Sequence, residues 1–181
     1  MKFDNSNLIK IIPVAFILII SIIAVSTNYW STTSVVDDDT SVVNIDIGLW
    51  KVCNTTGDLI ECKDTDNIGY DLGSNAKYEF KNLEAIKILS ISSIVLILIS
   101  IVVLFLIPNN KEYLVICLVL AGLFFIISAI LWKTEPLFKN ALLINSMKGY
   151  SLKSGYSWYL ELIGGIIAIL LGIATQFNIL N

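Results

Sequence analysis

The sequence of 181 residues lacks both histidine and arginine, so lysine supplies all 12 of its basic side chains. Histidine is the commonest general base and metal ligand, and the three cysteines and scattered acids show no metal-ligand spacing. We therefore expect no enzymatic activity and no bound cofactor or metal. Nothing in the sequence predicts a nucleic-acid partner.

Four long hydrophobic blocks dominate the chain. Hydrophobic residues make up 56% of the sequence, above the roughly 45–50% that is usual for soluble domains. A helix of about 20 apolar residues spans the roughly 30 Å hydrocarbon core of a bilayer. We predict a single domain, residues 1–181, with four transmembrane helices at residues 8–27, 85–107, 113–132 and 158–177.

The first block has a second interpretation, a cleaved signal peptide. Lys2 and Lys10 would form its charged region, and Ala24-Val25-Ser26 loosely resembles a cleavage site. Signal-peptide cores usually run about 7–15 residues, and this block is longer. We expect a retained helix.

Small residues allow close approach of transmembrane helices, and Gly164, Ala168 and Gly172 form such a stripe in the fourth block. Two interpretations are open: packing inside the bundle, which we favour, and self-association in the membrane. Glu161 lies near the outer end of the same block. We predict that it reaches interfacial water or a lysine such as Lys133, and an ion-pathway role is the alternative.

Two loops differ in charge. Loop one, residues 28–84, holds eleven acids and four lysines, a net charge of −7, whereas loop two, residues 133–157, holds four lysines and one acid, a net charge of +3. The lysines near the helix ends weakly favour large loops inside the cell. The single N-glycosylation sequon, at Asn54, and the two cysteines of loop one favour the opposite orientation, with both termini cytoplasmic.

One cluster in loop one combines specific residue types with specific spacing: Trp30, Gly48-Leu49-Trp50, Cys53 and Cys62. Residues 41–53 are strand-like, residues 54–58 form a polar turn, and residues 59–62 return as a strand. A bond between the two cysteines would close a hairpin, and the two tryptophans would anchor the sheet at the membrane surface. The alternative is unrelated tryptophans and free thiols in a cytosolic loop.

This cluster resembles the signature of the claudin superfamily, which includes claudins, the epithelial membrane proteins with peripheral myelin protein 22, and the calcium-channel gamma subunits. The chain matches the order and spacing of that signature at Trp30, Gly48, Leu49, Trp50, Cys53 and Cys62. The likeness continues at residues 83–89, where Lys87 stands where claudins usually carry arginine, and at residues 121–122 with Trp132. Residues 150–151 and 155–157 look more like the epithelial membrane protein branch.

The resemblance implies an all-α membrane fold with a small β component: a left-handed bundle of four transmembrane helices carrying an extracellular antiparallel sheet built mainly from loop one. It implies a Cys53–Cys62 disulfide and leaves Cys117 as a small buried apolar residue, with palmitoylation as the alternative. The chain ends Asn178-Ile179-Leu180-Asn181. Those residues do not match the PDZ-binding terminus of claudins, so we expect no scaffold anchoring by that route.

Two functions fit the resemblance. The first is cell–cell adhesion or a paracellular barrier or cation-selective pore at the plasma membrane, made by lateral and between-cell contacts of the sheet. Asp37, Asp38 and Asp39 would then attract cations, unless they are a solvated turn. The second is an accessory or membrane-organising subunit of a channel, receptor or adhesion protein. Besides the lipid bilayer, the expected partner is a second copy or another membrane protein.

Overall fold

The fold combines four helices with a small sheet. The computed structural model of the chain describes residues 5–37, 41–65, 82–107, 110–134 and 153–177, with the backbone alone at residues 5–10, 35–37 and 41–43. The helices are α1 Asn5–Ser26, α2 Leu83–Leu106, α3 Lys111–Thr134 and α4 Tyr156–Gln176. Helices α2, α3 and α4 are long and apolar enough to cross a membrane, and α1 has a shorter described apolar stretch, Ile11–Ser26. The predicted fold class is confirmed.

A five-stranded antiparallel sheet accompanies the helices. Its strands are β1 Ser31–Asp37, β2 Ser41–Ile47, β3 Lys51–Thr56, β4 Leu59–Asp64 and β5 Lys153–Ser154. They are arranged in the order β4-β3-β2-β1-β5, with every neighbouring pair antiparallel. Four strands come from loop one, and the short β5 comes from loop two.

The sheet differs from the predicted hairpin in three ways. The polar turn predicted at residues 54–58 is limited to residues 57–58, because β3 continues to Thr56. Residues 41–53, expected to run as one strand-like segment, are broken at residues 48–50, where the backbone N–H of Gly48 donates to the carbonyl of Lys51 at 2.9 Å. Strand β1 was not predicted, although it pairs with β2 along its whole length. These differences arise because the bounds of a strand depend on which segments pair, rather than on alternation within one segment alone.

The sheet lies at the end of the bundle where α1 and α3 finish and α2 and α4 begin. A cluster of buried apolar side chains joins the two layers there: Val25, Trp30, Ile47, Leu49, Val52, Leu83, Ile86 and Trp132. We call this cluster the junction. A second buried cluster, which includes Ile17, Ile97, Leu118 and Phe125, fills the middle of the bundle.

Close contact between α3 and α4 depends on glycine. A Cβ atom on Gly122 would lie 2.5 Å from the carbonyl oxygen of Gly165, so a side chain there would push the two helices apart. Gly172 faces Val119 of α3, whereas Gly164 faces Ser21 of α1. Together with the buried Ala168, the small residues of α4 therefore lie against neighbouring helices inside the bundle.

Candidate functional site

The last turn of α1 is capped by two tryptophans of the loop-one cluster. The last carbonyl groups of an α-helix have no partner within the helix and need one from elsewhere. The indole N–H of Trp30 donates to the carbonyl of Ala24, and that of Trp50 donates to the carbonyl of Val25, both at 2.8 Å. Each tryptophan thus satisfies one carbonyl and fixes the sheet to the end of this helix.

Trp30 is also the centre of an aromatic pair. Its side chain is fully buried, and its ring meets that of Trp132 of α3 edge to face, with centroids 5.2 Å apart. The indole N–H of Trp132 donates to the hydroxyl of Ser31 at 2.8 Å. Buried tryptophans keep their N–H groups paired, and here these bonds tie α1, α3 and β1 together.

Gly48 and Leu49 explain the rest of the Gly-Leu-Trp segment. A Cβ atom on Gly48 would lie 2.5 Å from the Cα of Asn28, so only glycine allows these two backbones to approach so closely. Leu49 is fully buried in the junction. Thr65 supports the same bend, because its backbone N–H donates to the carbonyl of Trp50 at 2.8 Å.

The predicted anchoring of both tryptophans at the membrane surface is wrong for Trp30. Its ring has no exposed surface, because it packs between the sheet and the helices. Trp50 is 37% exposed, and the ammonium group of Lys87 lies 4.9 Å from the centroid of its ring. A lysine over an aromatic face is attracted by the ring quadrupole, so Lys87 of α2 helps to hold the sheet.

Cys53 and Cys62 form a disulfide across the β3–β4 hairpin. The two residues are directly paired in the sheet, with Cα atoms 4.1 Å apart and sulfurs bonded at 2.06 Å. Gly57 at the turn has a φ of 58°, which glycine adopts at no steric cost. Cys117 of α3 is not part of this bond and is half-buried.

Loop two completes the junction through residues that sequence reasoning did not assign a structural role. Ser154 of β5 pairs with Ser31, and the N–H of Gly155 donates to the carbonyl of Trp30 at 2.9 Å. The hydroxyls of Thr27 and Ser157 are 2.5 Å apart. Sequence reasoning used the Gly-Tyr-Ser segment at the start of α4 only as a family likeness. The structure shows that this segment makes hydrogen bonds to residues just after the end of α1.

Other predicted site residues are dispersed. Asn54 is exposed on β3, opposite Glu61 of β4. Asp37 ends β1, whereas Asp38 and Asp39 lie outside the described residues, so their relation to the junction stays a prediction.

The prediction for Glu161 is wrong. Its side chain is fully buried in the bundle rather than at the interface, and Lys133 instead donates to Ser154 and lies over the ring of Trp158. The error arose because sequence gives the position of a residue along a helix more readily than the face on which it lies.

These features define an integral multi-pass membrane protein in which a small disulfide-linked sheet is capped onto a bundle of apolar helices. The family model described as PMP-22/EMP/MP20/Claudin family matches residues 5–175, and the chain belongs to that family. The match confirms the resemblance based on the loop-one cluster. A search of curated proteins found no match to the chain.

Proposed function

We propose that the protein makes contacts between cells at the plasma membrane and forms a paracellular barrier that favours cations. The observation that supports this best is the exposed strand β4, which forms one edge of the sheet among the residues that the structure describes and which we call the free edge. Every residue of β4 is exposed, including Leu59 at 75% and Ile60 at 68%. An edge strand presents unpaired N–H and C=O groups that can pair with another chain, whereas β5, at the opposite edge, is held by the bundle.

The proposal places the sheet outside the cell and both termini in the cytoplasm. Support comes from the disulfide, since such bonds persist in oxidising compartments. The exposed Asn54 supports the same orientation, because it is available to glycosylation enzymes on that side.

Glycosidase treatment of the expressed protein tests this orientation. We expect a mobility shift that is lost in Asn54→Gln and kept in Asn44→Gln, which changes another exposed sheet asparagine. Labelling with a membrane-impermeant thiol reagent after reduction gives an independent measurement. Labelling of Cys53 and Cys62 from the cytoplasmic side only would overturn the orientation.

Expression in an epithelial monolayer tests the barrier function. We expect a change in transepithelial resistance and a dilution potential that shows preference for cations, because loop one carries a net charge of −7. Asp37→Asn, Asp38→Asn and Asp39→Asn combined should reduce that preference, whereas Asp58→Asn with Asp64→Asn on the hairpin serves as the control. Unchanged resistance and unchanged ion preference would overturn the proposal.

An accessory role is the alternative outcome of the same experiments. It predicts a tagged copy spread over the surface or in vesicles, recovered with one channel or receptor rather than with copies from neighbouring cells. The structure offers it less support, since small residues of α3 and α4 that suit lateral binding face each other inside the bundle. Accumulation of the tagged copy at cell–cell contacts would favour the barrier.

A further inference from the structure

Glu161 joins three helices inside the bundle. Its side chain is fully buried, and its Oε1 lies 2.6 Å from the hydroxyl of Ser90 on α2. The same oxygen makes a hydrogen bond with the hydroxyl of Ser128 on α3. Ser90 and Ser128 are themselves fully buried. Neither the adhesion proposal nor the family signature uses this group.

The number of available protons distinguishes the two states of the carboxyl group. Besides its contact with Glu161, the Ser128 hydroxyl lies 2.8 Å from the carbonyl oxygen of Phe125, which can only accept. Together with the contact between Ser90 and Glu161, three hydrogen bonds require three protons. The two serines supply two, because each hydroxyl carries one.

An ionised Glu161 would therefore leave one of the three contacts without a proton. A protonated Glu161 supplies the missing one: the carboxylic acid donates to Ser128, Ser128 donates to Phe125, and Ser90 donates to Glu161. This assignment satisfies every contact with one donor and one acceptor.

The second carboxyl oxygen gives an independent reason. Oε2 is buried and has no hydrogen-bond partner among the residues that the structure describes. A charged carboxylate buried with one oxygen unpaired is far costlier than a neutral acid in the same place. Burial and hydrogen bonding therefore favour the same protonation state.

Two lysines on the neighbouring helices contact aromatic rings. Lys87 of α2 and Lys133 of α3 have their ammonium groups over the rings of Trp50 and Trp158, each 4.9 Å from the centroid. Residues 11–26 of α1 contain no ionisable side chain, and α4 otherwise carries only Tyr156 and Tyr159. Neither lysine forms a hydrogen bond with Oε2.

We infer that Glu161 is protonated in the folded bundle and that its proton completes a clamp between α2, α3 and α4. Ionisation removes one hydrogen bond of the clamp and creates a charge inside the bundle. The packing of these helices beneath the sheet consequently depends on the pH that reaches Glu161, and the clamp weakens as the pH rises and the carboxyl group ionises.

Infrared spectroscopy of the purified wild-type protein tests the protonation directly. We expect, at neutral pH, the carbonyl stretching band of a protonated carboxylic acid, shifted by isotopic labelling of glutamate and absent from Glu161→Gln. Asp46→Asn serves as the control and should keep the band. A neutral-pH spectrum with carboxylate bands alone would overturn the inference, and this measurement does not depend on any variant folding.

Thermal unfolding in detergent micelles over a range of pH tests the clamp. Glutamine stays neutral at every pH, and with its amide oxygen at the position of Oε1 it can accept from Ser90, although that atom cannot donate to Ser128. We expect Glu161→Gln to lose one of the three hydrogen bonds, to unfold within about 2–4 °C of the wild type at neutral pH, and to lack the wild-type fall at alkaline pH. Ser128→Ala and Ser90→Ala should lower the melting temperature by about 2–4 °C, the effect of one hydrogen bond in a chain of this size.

Ser93→Ala is the matched control, because within the described part of the chain that hydroxyl bonds only the carbonyl of Leu89 in its own helix, at 2.9 Å. We expect it to change the melting temperature less than Ser90→Ala. The same alkaline fall in Glu161→Gln as in the wild type, or a neutral-pH melting temperature in Glu161→Gln as low as in Glu161→Ala, would contradict the clamp.

Discussion

The part of the sheet at the junction and the edge formed by β4 differ in how they are held. At the junction, Trp30 and Leu49 are fully buried, and two indole groups satisfy carbonyls of α1. On the other side, β4 is exposed throughout. The difference shows that much of the family signature serves to attach the sheet to the bundle. The signature residues at the junction therefore do not separate the barrier proposal from the accessory alternative, and a surface that does should be sought on the free edge and the loops.

Replacing Trp30 should have the largest effect on the attachment. Trp30→Ala removes a fully buried aromatic ring and the hydrogen bond to Ala24, and we expect a loss of about 3–5 kcal/mol of unfolding free energy. Unfolding in detergent micelles measures it. Tyr29→Ala, at the neighbouring and partly exposed tyrosine, is the control and should cost less. Equal losses would show that the junction is not the more tightly held side.

Removing the disulfide tests the hairpin that leads to the free edge. Cys53→Ser combined with Cys62→Ser should cost about 2.5–3 kcal/mol, because the bond closes a short loop and restricts the unfolded chain. Unfolding with and without a reducing agent measures the same difference in the wild type. Cys117→Ser is the control, since that residue is not in the disulfide. A variant pair that unfolds like the wild type would show that the hairpin needs no covalent link.

Trp50→Phe separates the capping hydrogen bond from the aromatic ring. Phenylalanine keeps a ring near Lys87 but cannot donate to the carbonyl of Val25, so we expect a loss of about 1 kcal/mol. Trp50→Leu should cost more, because it also removes the ring. If both variants unfold alike, the contact with Lys87 contributes nothing measurable.

Asp46, on β2 next to the junction, should produce a small pH effect. Burial raises the pKa of Asp46, so the folded protein holds this proton more tightly than the unfolded chain does. Its contribution to stability is present below the unfolded-chain pKa and is lost as pH rises through the raised folded-state pKa. We expect Asp46→Asn to remove that dependence and to raise the unfolding temperature slightly at neutral pH. Asp58→Asn, in the exposed turn, is the control.

Leu59→Ser should leave stability almost unchanged, because the side chain is 75% exposed at the free edge. The proposed adhesion predicts that the same change weakens contacts between expressing cells, measured by cell aggregation. Thr56→Ser, at the residue paired with Leu59, is the control. A clear loss of stability in Leu59→Ser, or cell aggregation as strong as with the wild type, would show that the free edge does not differ from the junction in this way.

Sequence reasoning succeeded where the physical cause is local. Long apolar runs predict transmembrane helices because the length and composition of each run alone decide whether it can span the bilayer. The loop-one cluster indicated the family through its spacing. Strand β5 escaped prediction because its pairing with β1 joins residues 31 and 154, which no local pattern connects. Glu161 was misplaced because its partners, Ser90 and Ser128, come from two other helices.

The capping of α1 also sets an order for biosynthesis. The carbonyls of Ala24 and Val25 can be capped only after Trp30 and Trp50, which lie 6 and 25 residues further along the chain, have been synthesised. The hydrogen bond from Gly155 to the carbonyl of Trp30 can form only after the ribosome has synthesised loop two. A nascent chain that stops before loop two therefore leaves an incomplete sheet on a finished first helix. A quality-control receptor that binds an unpaired β1 edge would detect incomplete chains without contacting their transmembrane segments.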